Sequence, residues 1–127
     1  MGLKVTCGTD IIEISRIKEC IERLGDKFLS RIYTEKEREY CEDKRQMKYQ
    51  HYAARFAAKE AVFKAVSCYL DDRWTISWHD VEILNDESGR PNLIFPREIQ
   101  FKNIRNIDVS LSHSKEYVVA TVVVMAE

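Results

Sequence analysis

Hydrophobic and polar residues alternate in several short segments, and this period of two predicts β-strands. Between residues 3 and 12, Val5 and Ile11 share one face, and Asp10 lies on the other face near the end of the strand. The segment 117–125 is apolar on both faces, which is typical of a central, covered strand. Five segments are predicted to be strands: 3–12, 78–84, 92–95, 107–113 and 117–125.

Other segments carry apolar residues at helical spacing, between residues that start or end helices. Ser15 is predicted to cap a first helix and Gly25 to end it, while Thr34 matches the first position of a capping box. The predicted helical segments are 15–25, 34–42 and 52–66, with one or two further turns within 96–104, and 28–32 is a short amphipathic piece. Mainly antiparallel strands covered by one long helix predict an α+β fold.

The segment 52–66 is predicted to be the longest helix, because it lacks Gly and Pro and is rich in Ala. Its alanines share one side, where another backbone can approach closely, and Phe56 and Phe63 lie opposite. The simplest interpretation is a core helix with an ion pair at its surface. Charged residues flank the aromatic rings on two edges: Arg55 and Lys59 on one, Glu60 and Lys64 on the other.

Length, charge and cysteine usage narrow the class of protein. The 127 residues suit a single domain, 1–127, and the net charge of -1 gives no overall basic field for nucleic acid. No apolar run approaches the ~20 residues that span a membrane, and the N-terminus is too short and polar for a signal peptide. The four cysteines are too widely spaced for a zinc site or a disulfide framework, so we expect a cytoplasmic protein.

Hydrolase chemistry is excluded at the Ser112–His113 pair. Adjacent residues of a strand point to opposite faces, so Ser112 and His113 cannot form the nucleophile–base hydrogen bond of a triad. The chain also has no G-x-S-x-G elbow. His113 shares its face with Val109 and Leu111, so a partly buried, hydrogen-bonded histidine is one open interpretation.

Asp10 and Glu60 suggest a different chemistry. A carboxylate at a strand end and another on an alanine-rich helix suit a hard cation such as Mg²⁺, which binds carboxylates together with substrate phosphates. Lys64, one helical turn after Glu60, can hold a phosphate oxygen as a point charge. This combination indicates a diphosphate substrate if the two carboxylates meet. Asp10 can instead serve as a turn or capping residue.

Four segments in order resemble the motifs of one known family. They are Gly8-Thr9-Asp10, the R-F-x-x-K-E-A-x-x-K-A run of residues 55–65, the W-H-D-V-E-I run of residues 78–83 followed by Gly89-Arg90-Pro91, and the V-S-L-S-H strand of residues 109–113. Over nearly its whole length the chain therefore resembles the holo-acyl-carrier-protein synthases, which are small phosphopantetheinyl transferases. The K-E-A-x-x-K-A helix together with the upstream G-x-D is the specific part of the resemblance.

This resemblance implies a reaction, in which 4′-phosphopantetheine passes from coenzyme A to a serine of an apo acyl carrier protein. Adenosine 3′,5′-bisphosphate is released. The resemblance assigns Mg²⁺ to Asp10 and Glu60, and phosphate to Lys64. It assigns coenzyme A contacts to Gly89, Pro91, Ser112 and His113, and a weaker phosphate or partner contact to Arg55. The proton acceptor for the serine is either Glu60 or a metal-bound water.

The same resemblance implies partners. Members of the family are typically homotrimers with active sites between subunits, so we expect the same assembly. Arg16 and Arg23 share a stripe of the first helix and match positions that face the acidic carrier protein. Complementary charge of this kind steers encounter.

One departure from the family pattern favours an alternative. The family usually has Gly-Thr-Gly after the signature helix, whereas this chain has the glycine-free stretch Ser67–Arg73. Because glycine lets backbone approach a cofactor closely, its absence motivates a non-catalytic module that binds coenzyme A or carrier protein. A purely structural α+β domain is a third hypothesis.

Overall fold

A computed structural model of the chain describes residues 2–70 and 75–127. In these residues the helices are α1 (Ile14–Leu24), α2 (Asp26–Ile32), α3 (Glu35–Asp43) and α4 (Lys48–Val66). The strands are β1 (Lys4–Glu13), β2 (Glu82–Asn85), β3 (Pro91–Ile94), β4 (Ile104–His113) and β5 (Tyr117–Ala126), and short 3₁₀ turns lie at Arg45–Met47, Ser67–Tyr69 and Trp78–Asp80. None of the helices in these residues is long and apolar enough to span a membrane. The predicted α+β fold is confirmed.

The strands form two antiparallel sheets, one of three strands in the order β1–β5–β4 and one of the β2–β3 hairpin. Strand β5 is central, as its apolar sequence predicts. Its alternate residues are buried on the face that packs against α4: Val118, Ala120, Val122, Val124 and Ala126. The other face of the sheet is open within one chain, where Val123 is 40% exposed. The prediction that β5 is covered on both faces is therefore wrong for the single chain.

The contact between β1 and α4 is unusually close because Gly8 has no side chain. A Cβ atom on Gly8 would overlap the carbonyl oxygen of Ala61 and would lie 3.0 Å from the backbone nitrogen of Ala65. Ala61 and Ala65 are themselves buried, so the small residues of both elements let the two backbones meet. The alanine side of the long helix does permit close approach, as predicted from the sequence.

Local capping signals account for most of the correct helix boundaries. Gly25 ends α1 with a φ of 57° and donates its N–H to the Ile21 carbonyl. Thr34 and Glu37 form the predicted capping box at the start of α3. Ser15 is wrong as a cap, because α1 begins at Ile14 and no side chain caps it.

Three other predictions differ from the structure. The long helix begins at Lys48, four residues before Tyr52, since it continues directly from a 3₁₀ turn. Residues 78–80 form a 3₁₀ turn rather than a strand, because Ser77 and Asp80 make a capping box there. The helical turns predicted within 96–104 do not form. Of the glycine-free stretch Ser67–Arg73, residues 71–73 lie outside the described residues.

Replacing Gly8 with Ala tests the close contact between β1 and α4. We expect Gly8→Ala to lower the free energy of unfolding by about 1–3 kcal/mol, because overpacking forces the two backbones apart. The midpoint of urea unfolding measures this change. Lys4→Ala, an exposed position of the same strand, is the control and should stay within about 0.5 kcal/mol of wild type. Equal midpoints for wild type and Gly8→Ala would show that the helix yields freely.

Candidate active site

Strand β1 and helix α4 bring Asp10, Glu60 and Lys64 together. Asp10 shares the helix-facing side of β1 with Gly8, two residues earlier. The Lys64 ammonium donates to an Asp10 carboxylate oxygen at 3.2 Å and to the Thr9 carbonyl at 3.0 Å. Lys64 thus bridges the helix to the strand, instead of serving only as the surface partner of Glu60.

A groove of about 300 Å³ lies between α1, β1 and α4, and both carboxylates line it. Arg16 reaches the same groove from α1. Apolar and aromatic side chains form most of its remaining walls: Ile12, Ile17, Cys20, Phe28 and Phe56. Ile11 also borders the groove, but its side chain faces the open side of the sheet and is 63% exposed. The groove therefore combines two carboxylates, the Arg16 guanidinium and largely apolar walls.

The electrostatics of Glu60 reflect this setting. Partial burial raises the pKa of Glu60 above its ordinary value, and the negative charge of Asp10 raises it further. The positive charge of Lys64 offsets part of the effect. Two carboxylates in one partly desolvated groove repel each other, so a cation bound between them is favoured.

The donor set fits a hard divalent cation only in part. Carboxylate oxygens are the ligands that Mg²⁺ prefers, and it commonly uses one or two of them together with phosphates and water. In the part of the chain that the structure describes, no group of three or more His, Cys, Asp or Glu side chains could hold a metal. Asp10 and Glu60 can therefore supply two ligands, and a bound diphosphate and water would complete the shell.

Ser112 and His113 lie on the far side of β5 from Asp10. In the sheet, Asp10 pairs with Ala120, and Ala120 pairs with Leu111 on β4. Two strand spacings of about 4.8 Å thus separate the backbones of β1 and β4. The side chain of His113 faces the helix side of the sheet and that of Ser112 the open side, as the sequence predicts.

The His113 end of β4 is part of a basic region beside α4. Burial, together with the positive charges of Arg55, Lys44 and His113, lowers the pKa of His51 to about 4. His51 and Lys44 gave no signal in the sequence, because each is an ordinary polar residue in its local context. The fold alone brings Lys44 and His113 near His51.

The Gly89–Pro91 turn joins β2 to β3 and borders a different cavity. Gly89 adopts a φ of 88°, a conformation that favours glycine, and its carbonyl accepts from the Asn85 amide. A cavity of about 560 Å³ lies between this turn and β4, lined by Arg90 and Pro91 on one side and Ser110 and Leu111 on the other. One chain therefore does not place the turn in the Asp10–Glu60 groove.

Arg55 is part of the interior of the chain. It is 1% exposed, and its guanidinium donates to the Ile83 carbonyl at 3.1 Å and to the Asn85 side chain at 2.7 Å. Its third nitrogen donates to the His51 carbonyl at 3.4 Å. A phosphate could reach Arg55 only if these contacts changed, so its position favours a structural role over the predicted phosphate or partner contact. The position of Arg55 on one edge of the aromatic residues did not reveal that its side chain is buried.

Lys59, which the sequence places with Arg55 on one edge of the aromatic residues, is also buried. Its ammonium forms an ion pair with Glu37 at 2.7 Å, and both side chains are 0% exposed. Sequence reasoning missed this pair, because Glu37 had already been explained by the capping box. A lysine on the helix next to Glu60 was the only available signal.

Comparison with known proteins places the chain in a family. The model of the 4′-phosphopantetheinyl transferase superfamily matches residues 6–122. The chain is 41% identical over 120 residues to a holo-[acyl-carrier-protein] synthase of Koribacter versatilis, covering 91% of this chain and 94% of that protein. It is 43% identical over 126 residues to the synthase of Ruminiclostridium cellulolyticum, covering 96% of this chain and 92% of that protein.

Solved structures agree with these matches. A holo-(acyl-carrier-protein) synthase of Bacillus anthracis in complex with CoA (3′,5′-ADP) is 38% identical, with a TM-score of 0.78 over 99% of this chain and 100% of that one. The synthase of Helicobacter pylori in complex with coenzyme A is 32% identical, with a TM-score of 0.76 over 93% of this chain and 98% of that one. From its sequence and its fold alike, this chain belongs to the 4′-phosphopantetheinyl transferase superfamily.

Proposed function

We propose that the chain is a holo-acyl-carrier-protein synthase, which transfers 4′-phosphopantetheine from coenzyme A to a serine of an apo acyl carrier protein. The observation that carries this proposal is the meeting of Asp10 and Glu60 at one groove, with the Lys64 ammonium in contact with Asp10. The chain is similar to synthases whose structures were solved in complex with CoA (3′,5′-ADP) or coenzyme A, and this similarity supports coenzyme A as the donor. A binding module without chemistry would not need two carboxylates and a lysine at one point.

The proposed reaction is a phosphoryl transfer. The serine hydroxyl oxygen forms a bond to the phosphorus that carries the pantetheine arm. The bond from that phosphorus to the bridging oxygen breaks, and adenosine 3′,5′-bisphosphate leaves with the electron pair. Catalysis of such a step is mostly positioning and neutralisation of charge. Glu60 is a candidate acceptor for the serine proton, because its raised pKa brings it closer to a working pH.

Asp10 and Glu60 are the residues that would hold Mg²⁺, which when bound neutralises charge on the diphosphate. Lys64 has a second part in this arrangement. Its ammonium contacts the Asp10 carboxylate. Its side chain is 52% exposed and therefore able to move. We expect Lys64 to leave Asp10 and to contact a phosphate oxygen when substrate binds.

The carrier protein is the proposed partner of α1. Arg16 lines the groove, and Arg23 lies in the last turn of the same helix, seven residues and about two turns further on. Both side chains are exposed, so they can meet an acidic surface. Arg16 lies close enough to Asp10 and Glu60 to guide an incoming serine toward them.

We also propose a homotrimer with active sites between subunits. The open face of the β1–β5–β4 sheet exposes apolar side chains that water does not favour: Val5 63%, Ile11 63%, Tyr117 42% and Val123 40%. Copies of the same chain would cover this face. Such an assembly would also explain why Pro91, Ser112 and His113 do not share the Asp10 groove within one chain, since a neighbouring subunit could bring them to it.

Intact-mass measurement of an apo carrier protein tests the function. With coenzyme A and Mg²⁺, we expect the carrier to gain about 340 Da, the mass of one phosphopantetheine. Asp10→Asn and Glu60→Gln should each lower the rate by about 100-fold or more, because each removes a charge that the transition state requires.

Glu39→Gln, on an exposed part of α3, is the control for these variants and should keep the wild-type rate. Binding of coenzyme A or carrier without a mass gain, across several carriers, would instead support the non-catalytic module. Near-normal transfer by Asp10→Asn or Glu60→Gln would show that the proposed metal ligands are wrong.

Sedimentation equilibrium tests the trimer. We expect wild type to have three times the chain mass of 14.9 kDa. Val123→Glu should reduce the mass to that of a monomer, because it places charge in a buried contact. Leu24→Glu, at a position of similar exposure (44%) on α1, should leave the mass unchanged. A monomeric wild type, or a trimeric Val123→Glu, would contradict the proposal.

The Glu60→Gln variant should also be slightly more stable than wild type at about pH 7 in chelator. The folded chain raises the pKa of Glu60 above 4.5, so wild type loses stability as the pH rises from 4.5 through the folded-state pKa. The variant lacks this loss, and its advantage should disappear by about pH 4, where Glu60 is largely protonated in both states. Urea midpoints at the two pH values measure the effect. An advantage of equal size at both pH values would refute this electrostatic cause.

A further inference from the structure

Lys59 precedes Glu60 on α4 and points into the interior instead of the groove. Its side chain is 0% exposed. The ammonium donates three hydrogen bonds, to the Ile32 carbonyl at 2.7 Å, the Trp78 carbonyl at 2.9 Å and the Glu37 carboxylate at 2.7 Å. An ammonium has three donors, so every one of them is used.

Glu37 is the charged partner and is equally enclosed. One carboxylate oxygen accepts from Lys59 and from the Thr34 amide at 2.9 Å, and the other accepts from the Ile83 amide at 2.9 Å. The pair therefore joins α4 to the end of α2, the start of α3, the Trp78 turn and β2. No other ion pair among the described residues has both side chains fully buried.

Stability alone is a poor explanation for such a pair. Removing two charges from water is costly, and replacement of a buried ion pair by apolar side chains is often neutral or stabilising. What the pair supplies is a defined orientation of α4. Hydrogen bonds from one ammonium to three separate segments allow only one rotation of α4 about its axis.

The neighbours of Glu60 are held at the same place. Phe56 and Phe63 lie about one turn before and after Glu60. Their rings pack against the Trp78 ring, with ring centroids 5.1 Å and 5.0 Å apart. Trp78 is also the residue whose carbonyl accepts from Lys59. The turn of α4 that carries Glu60 is thus fixed from inside, while Glu60 itself faces the groove.

We propose that Lys59 and Glu37 are positioning residues for the transfer reaction, and that their buried ion pair holds α4 in the rotation that presents Glu60 beside Asp10. Neither side chain touches substrate. They act through the direction of the Glu60 carboxylate. This inference rests on the proposed function, but its metal-binding consequence can be measured without turnover.

The double variant Lys59→Met/Glu37→Gln tests the proposal, because it removes both charges together and leaves neither charge buried alone. Gln retains one acceptor oxygen, which can serve the amide of Thr34 or that of Ile83 but not both, because these two amides donate to different oxygens of the Glu37 carboxylate. We expect the variant to fold, with kcat lowered about 10–100-fold and KM for coenzyme A changed less than about threefold. The dissociation constant for Mn²⁺, measured by electron paramagnetic resonance without substrate, should rise about tenfold or more.

Val124→Ala is the matched control for lost stability. Val124 is 0% exposed and pairs with Thr6, four residues before Asp10 on β1. Its truncation should lower the melting temperature while leaving kcat and the Mn²⁺ dissociation constant within about twofold of wild type. A double variant with wild-type kcat and wild-type Mn²⁺ affinity would overturn the positioning role.

Glu37→Asp keeps both charges and shortens one arm, so it tests the proposal even if the double variant does not fold. We expect the same pattern at smaller size, with lower kcat, weaker Mn²⁺ binding and little change in KM. Wild-type values of kcat and Mn²⁺ affinity in Glu37→Asp would also overturn the proposal. If wild type itself transfers nothing, the proposed function fails, and the Mn²⁺ affinities still decide whether the pair positions Glu60.

Discussion

The close approach of β1 to α4 at Gly8 is the contact on which the rest of the site depends. A Cβ atom at this position would overlap the Ala61 carbonyl, so only glycine lets the strand lie this close to the helix. Asp10 is two residues further along the strand, and Glu60 precedes Ala61 on the helix. The spacing of the two backbones therefore decides whether the carboxylates share a groove. Glycine and alanine matter here through the side-chain volume that they lack.

Close packing sets the distance between the two elements, and the buried Lys59–Glu37 pair restricts the rotation of one of them. The resulting groove concentrates unfavourable charge, since Asp10 and partial burial both raise the pKa of Glu60. The Lys64 ammonium relieves part of this repulsion by contacting Asp10. Sites that hold like charges together commonly reduce the stability of the folded chain, and binding of a cation reverses that effect.

Local sequence signals predicted the elements well where the physics is local. The Thr34–Glu37 capping box and the Gly25 helix end depend on residues within one turn, and both are present in the structure. The 3₁₀ turn at Trp78 was missed, because the Ser77–Asp80 box overrides the apolar alternation that suggested a strand. The long-range partners of Glu37 were beyond sequence reasoning. Its carboxylate accepts from Ile83, which is 46 residues away, and that contact exists only in the folded chain.

The candidate site shows the same difference between what local sequence predicts and what only the folded chain decides. Motif resemblance singled out Asp10, Glu60 and Lys64, and the fold brings them to one place. Arg55 belongs to the same motif, yet it is enclosed by β2 and the start of α4. A residue type at a motif position does not reveal whether it faces a ligand or the core. The register of α4 against β1 and β2 decides that question.

The most direct test of the account is a crystal structure of the chain with Mn²⁺ and coenzyme A, in which anomalous scattering locates the metal. The account predicts one Mn²⁺ ion bound by carboxylate oxygens of both Asp10 and Glu60 and by diphosphate oxygens, with the Lys64 ammonium moved from Asp10 to a phosphate. An anomalous peak elsewhere, or a diphosphate bound without contact to Asp10 and Glu60, would contradict it.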